Sequence, residues 1–72
     1  MTEKELLQHI GKRIKAERKK RKLTLHDMYR YGVTDISNMS RIESGRVNLH
    51  LLTLKKLSDI FEIDLVDLIN VR

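Results

Sequence analysis

Leu23-Thr24-Leu25-His26-Asp27-Met28-Tyr29-Arg30-Tyr31-Gly32-Val33-Thr34-Asp35-Ile36-Ser37-Asn38-Met39-Ser40-Arg41-Ile42-Glu43-Ser44-Gly45 is the stretch from which the fold can be read. Thr24 offers a side-chain acceptor just ahead of Leu25 and Met28, which predicts the N-cap of a short helix ending near Tyr31. Gly32-Val33-Thr34 reads as a tight connection. Asp35 then stands where it can cap a second short helix over 36–44, and Gly45 ends it. Two short helices joined by such a turn have the dimensions of a helix-turn-helix. Placed at 100° per residue, the second helix puts Asp35, Met39 and Ile42 on one side, Ser37, Ser40, Arg41 and Ser44 on the other, and Ile36 at the edge.

Outward from this pair the chain stays helical. Upstream, Thr2 and Glu5 have the spacing of a capping box, and Leu6, Leu7, Ile10 and Ile14 form one stripe, so a helix is expected over 3–21. Its end, Arg18-Lys19-Lys20-Arg21-Lys22, sets cations against the negative pole of the helix dipole. Downstream of Gly45-Arg46-Val47-Asn48, the residues Leu51, Leu54, Leu57 and Phe61 predict a fourth helix over 50–61. Asp64 begins a fifth, with Leu65, Leu68 and Ile69 on one face and Ile63 ahead of them as a hydrophobic staple. Proline is absent. The expectation is an all-α, five-helix fold in a single domain spanning 1–72, since 72 residues leave no room for a second core.

Composition narrows the class of function. Residues 1–47 carry 12 basic and 6 acidic side chains, whereas 48–72 carry 3 and 4. A cationic half suits a polyanion, because each phosphate it neutralises releases condensed counterions. The plainer reading of any one basic stretch is a solvated face. Without cysteine there is neither disulfide nor thiolate chemistry, and the start Met-Thr-Glu-Lys-Glu does not read as a secretory signal. A cytoplasmic location is expected, with no membrane span. His9, His26 and His50 are scattered without acidic partners at ligand spacing, so no metal and no cofactor are expected. No arrangement holds a nucleophile against a base, and no glycine-rich phosphate cradle is present, which argues against an enzyme. Phe61, Tyr29 and Tyr31 are too few aromatics for a single-strand stacking platform, so duplex DNA is the favoured polyanion.

The outer face of the third helix supports that choice. An exposed helix ordinarily carries more Lys and Glu than Ser. A face of serines and one arginine can approach a groove closely, with Arg41 reaching a base edge or a phosphate.

The stretch from Ile10 to Ile69 resembles the Cro and phage-repressor family of helix-turn-helix regulators, also called XRE-type. The residues that carry the resemblance are Ile10-Gly11-Lys12-Arg13-Ile14, Leu23-Thr24, Ser40-Arg41-Ile42-Glu43-Ser44-Gly45, Asn48, Thr53-Leu54, Lys56-Leu57, Leu65 and Leu68. The resemblance implies a lambda-repressor-like fold whose third helix reads DNA, and frequent binding as a homodimer to palindromic operators. It implies that Ile36, Ser37 and Arg41 face bases, with Asn38, Ser40, Arg46 and Asn48 near the sugar-phosphate backbone. It further implies a structural ion pair between Arg18 and Glu43. Three positions depart from the family pattern. Leu25 stands where many members have a phosphate-binding glutamine. Tyr29 occupies an alanine position, where a ring must change the helix crossing or point outward. Val33 replaces the turn glycine, with Gly32 one residue early.

Leu49, Leu52, Val66 and Val71 fall off the inward stripes. Surplus apolar surface predicts an interface, and a homodimer is expected through the fourth and fifth helices around Leu49, Leu52, Val66 and Ile69, with recognition helices about 34 Å apart. The competing reading is that these residues enlarge the local core. The expected function is sequence-specific binding of double-stranded DNA as a transcriptional regulator, a repressor. Its alternative is an antitoxin-like or accessory module whose apolar surface receives a toxin or another regulator, with DNA binding secondary.

Overall fold

The computed structural model describes residues 1–70. It contains α1 (Glu3–Lys20), α2 (Leu25–Arg30), α3 (Ile36–Glu43), α4 (Leu51–Phe61) and α5 (Leu65–Leu68), with no strand among the described residues. The helix starts are set by local chemistry. Thr2 and Glu5 form a complete capping box for α1, and Thr24 with Asp27 forms a second for α2. Asp35 accepts from the Asn38 backbone amide at 2.7 Å, which satisfies one orphan donor at the start of α3.

Four of the helices stop in the same way. A left-handed residue follows each: Lys22 (φ 57), Gly32 (φ 80), Gly45 (φ 74) and Glu62 (φ 57). The next amide then reaches back five residues: Leu23 to Arg18 O, Val33 to Met28 O, Arg46 to Arg41 O and Ile63 to Ser58 O, at 2.9 to 3.1 Å. These are Schellman closures, which satisfy carbonyls that a helix end leaves without partners. The second closure explains the departure at Val33. Gly32 takes the left-handed turn, and Val33 is thereby free to point inward and join Met28 in the core.

The core is built from Ile10 and Ile14 of α1, Met28 and Val33 around α2, Met39 and Ile42 of α3, Leu54, Leu57 and Phe61 of α4, and Leu68 of α5. The amphipathic spacing accounts for these apart from Val33. Leu6 is 37% exposed, Leu51 is exposed and Leu7 is half-buried outside the core cluster, although all three are expected on inward stripes. Leu51 opens α4 and lies about 90° round the helix from the centre of the Leu54–Leu57–Phe61 stripe at 100° per residue.

Two glycines hold α3 against α1. A Cβ at Gly11 would sit 2.5 Å from the Ile42 carbonyl oxygen, so the two helices meet backbone to backbone. A Cβ at Gly45 would lie 2.7 Å from the Cα of Gln8. The seat of α3 on α1 is therefore close at both points, and its outer face is presented by a rigid support.

Candidate nucleic-acid interface

Met39 and Ile42 anchor α3 in the core, and Glu43 is buried beside them. That rotation leaves Ser37, Ser40, Arg41 and Ser44 exposed, with Ile36 43% exposed at the helix start. Arg41 has no ion-pair partner among the described residues. Arg46 and Asn48 are exposed in the connection to α4. The other side chains are less free. Asn38 is half-buried and donates to Thr34 Oγ1 at 3.0 Å, bracing the turn between α2 and α3. Ser44 Oγ donates to the carbonyls of Ser40 and Arg41, so its proton stays within the helix and only its lone pairs face outward.

Behind this face lies a buried ion pair. Arg18 Nε and Nη2 donate to the two carboxylate oxygens of Glu43 at 2.7 and 3.0 Å, with side-chain exposures of 9% and 6%. Arg18 Nη1 also donates to the Leu23 carbonyl at 2.7 Å. One guanidinium thus ties together the end of α1, the approach to α2 and the end of α3, using its fork geometry in two directions.

Arg21 has a comparable job. It donates to the Glu17 carboxylate and carbonyl and to the Phe61 carbonyl, and its guanidinium lies 5.1 Å from the Phe61 ring centroid. Arg13 approaches the same Glu17 at 3.4 Å. Arg21's hydrogen bond holds the Glu17 carboxyl below the ordinary carboxylate range, against an opposing push from burial. The spacing of 13, 17 and 21 advertises the Arg-Glu-Arg ladder in the sequence, whereas the reach to Phe61 has no local signal. By contrast Lys4, Lys12, Lys15, Lys19, Lys20 and Lys22 are exposed and make no ion pair among the described residues.

Beside α3 lies a second element that sequence reasoning did not place in the site. Tyr29 points outward, 56% exposed, which resolves the choice posed by a ring at this position. Its ring lies 5.9 Å from that of His26 at an interplanar angle of 38°. His26 and Tyr29 from α2, together with Asp35, Ile36, Ser37 and Arg41, line a shallow depression between the two helices. Leu25 packs against the core, so its position presents no polar clamp.

The structure divides the apolar residues of the C-terminal part. Leu52 and Val66 are 75% and 73% exposed, and Leu51, next to Leu52 in sequence, is exposed as well. Leu49 and Ile69 are half-buried against the core, because the connection into α4 and the end of α5 fold back on it. Val71 lies outside the described residues. Among the described residues no helix is long and apolar enough to cross a membrane, and no three potential metal ligands cluster.

No curated protein and no solved structure gives a significant match to the chain. The helix-turn-helix family does, over residues 14–68, a span that runs from the middle of α1 through α5. That family binds DNA and is not an enzyme family. With five helices, no strand among the described residues and a serine-and-arginine face on α3, the chain belongs to the Cro and phage-repressor type, or XRE-type, of DNA-binding helix-turn-helix transcription regulators.

Proposed function

We propose that the protein is a sequence-specific repressor that lays α3 in the major groove of an operator and binds as a homodimer. The observation that carries this reading is the outward face of α3. It combines an unpaired Arg41 with Ser37 and Ser40, none of them engaged in holding the fold. Arg41 reads a guanine edge or fixes the register through a phosphate, while Ser37 and Ile36 meet neighbouring bases. Asn38, Ser40, Arg46 and Asn48 take the sugar-phosphate backbone; for Asn38 this is the amide hydrogen that Thr34 does not use. Exposed Leu51, Leu52 and Val66 supply the apolar part of a contact between two copies, rimmed by the half-buried Leu49 and Ile69. Repression then follows from occupancy of a site that overlaps a promoter.

The same exposed leucines favour one second reading, an accessory or antitoxin-like module that offers them to a toxin or another regulator. Selection from randomised duplexes at stated salt separates the two. A palindromic winner with half-sites one helical turn apart supports the homodimeric repressor, and the absence of any winner supports the partner-binding module.

A further inference from the structure

Two large apolar side chains are exposed on an otherwise polar and cationic face. Ile36 opens α3 at 43% exposure, and Tyr29 lies on α2 at 56%. Singly, exposed apolar residues are ordinary. These two come from different helices yet line the same depression as Ser37 and Arg41. The His26 ring, also in the depression, lies tilted against Tyr29 with centroids 5.9 Å apart. Asp35 lies at the margin with one carboxylate oxygen already taken by the Asn38 amide at 2.7 Å.

Within a major groove nearly everything a side chain meets is polar: N7, O6 and O4 acceptors, exocyclic amines and phosphates. The exception is the 5-methyl group of thymine. An apolar notch beside a free arginine therefore has one complementary target on unmodified duplex DNA. We infer that Tyr29 and Ile36 form a notch that receives a thymine methyl group next to the base pair contacted by Arg41. This rests on the reading of α3 as the groove-facing helix. It makes Tyr29, through its departure from alanine, a residue that sets specificity.

Replacing each thymine of the selected duplex in turn with deoxyuridine removes a methyl group and nothing else. The expected result is one thymine per half-site whose replacement weakens the protein about fourfold, the worth of one buried methyl-sized group. Ile36→Ala and Tyr29→Ala should bind the thymine and deoxyuridine duplexes equally, and both should still unfold cooperatively because neither side chain belongs to the buried core. Arg41→Ala should bind both duplexes more weakly and keep the discrimination between them. A selected site at which no thymine shows a methyl effect overturns the notch alone. So does a methyl effect that survives intact in both the Ile36 and the Tyr29 variants. Failure to select any sequence overturns the groove-facing reading and the notch with it.

Discussion

The arginines of α1 and those beyond the turn are the same side chain put to opposite uses. Arg18 and Arg21 end in carboxylates, carbonyls and a ring face, and Arg13 joins their network through Glu17. Arg41 and Arg46 end in solvent. The six lysines of the α1 region side with the second group. A planar fork suits bidentate and stacked contacts inside the protein, while a strongly hydrated ammonium stays out. The basic tract that dominates the composition is thus two populations, one holding the molecule together and one left to the outside. Net charge alone does not distinguish them.

The largest effect should come from breaking the inner population. Arg18→Met strands Glu43 as an uncompensated buried carboxylate, a cost of about 3 to 5 kcal/mol. Stabilities of small domains start at about 5 kcal/mol, so little more than about 2 kcal/mol need remain, and the urea transition of this variant should begin near zero denaturant. The further change Glu43→Leu removes the stranded charge and should recover most of the loss. If the double variant is no more stable than Arg18→Met, the hydrogen bond to Leu23 rather than the ion pair is what Arg18 contributes.

The outer population should respond the other way. Arg41→Ala should leave the unfolding midpoint unchanged and weaken binding to the selected duplex by about 1 to 3 kcal/mol, relaxing preference at one base pair. Lys19→Ala should at most make the salt dependence shallower, by about one unit of slope. Equal losses on selected and random duplexes would remove Arg41 from base recognition and place it with the phosphate contacts.

Which parts of this division are legible in the sequence depends on the range of the interactions. The helix starts at Thr2, Thr24 and Asp35 can be read directly, because an N-cap and the amide it receives are three residues apart. The core stripes of α1, α3 and α4 follow from helical periodicity. The ends of α1 and α4 fall where the sequence places them, near 21 and 61, but the closures at Lys22 and Glu62 are hidden, because neither is a glycine and the left-handed backbone is imposed by the closure around it. Pairing across space is the hardest to read. Arg21 meets a carbonyl 40 positions away, and nothing near either residue announces it. The depression beside α3 is missed for the same reason: His26 and Tyr29 look like an odd pair on α2 until the turn at Gly32 brings Ile36 alongside. Leu51 shows a different limit, since three-to-four spacing alone admits a residue that lies well round the helix from the buried stripe.

The smallest expected effect lies on the acid side and separates two kinds of carboxylate. Backbone amides at the caps hold Glu5 and Asp27 below their ordinary values of 4.5 and 3.8, chiefly through Thr2 and Thr24, and Arg21 does the same for Glu17. A carboxyl lowered in the folded state contributes stability that is complete above its ordinary value and lost as pH falls through the lowered one. Stability should therefore be flat from neutrality down to about pH 5 and fall below about pH 4. Asp27→Asn should start lower and fall less steeply over that limb. Salt then distinguishes the causes. The Glu17 contribution is led by its hydrogen bond to the charged Arg21, with coulombic attraction to Arg21 and Lys20 added, so it should shrink in part between about 0.1 and 1 M salt as the Debye length shortens to roughly 3 Å. The Asp27 contribution is led by a directional hydrogen bond from the uncharged Thr24 backbone, with only minor coulombic parts from Arg30 and His26, and should shrink less. A Glu17→Gln variant whose acid limb keeps the same salt response as the parent would show that the carboxylate ladder adds nothing beyond the caps, and would leave the Glu17 and Phe61 carbonyls and the Phe61 ring as all that Arg21 holds.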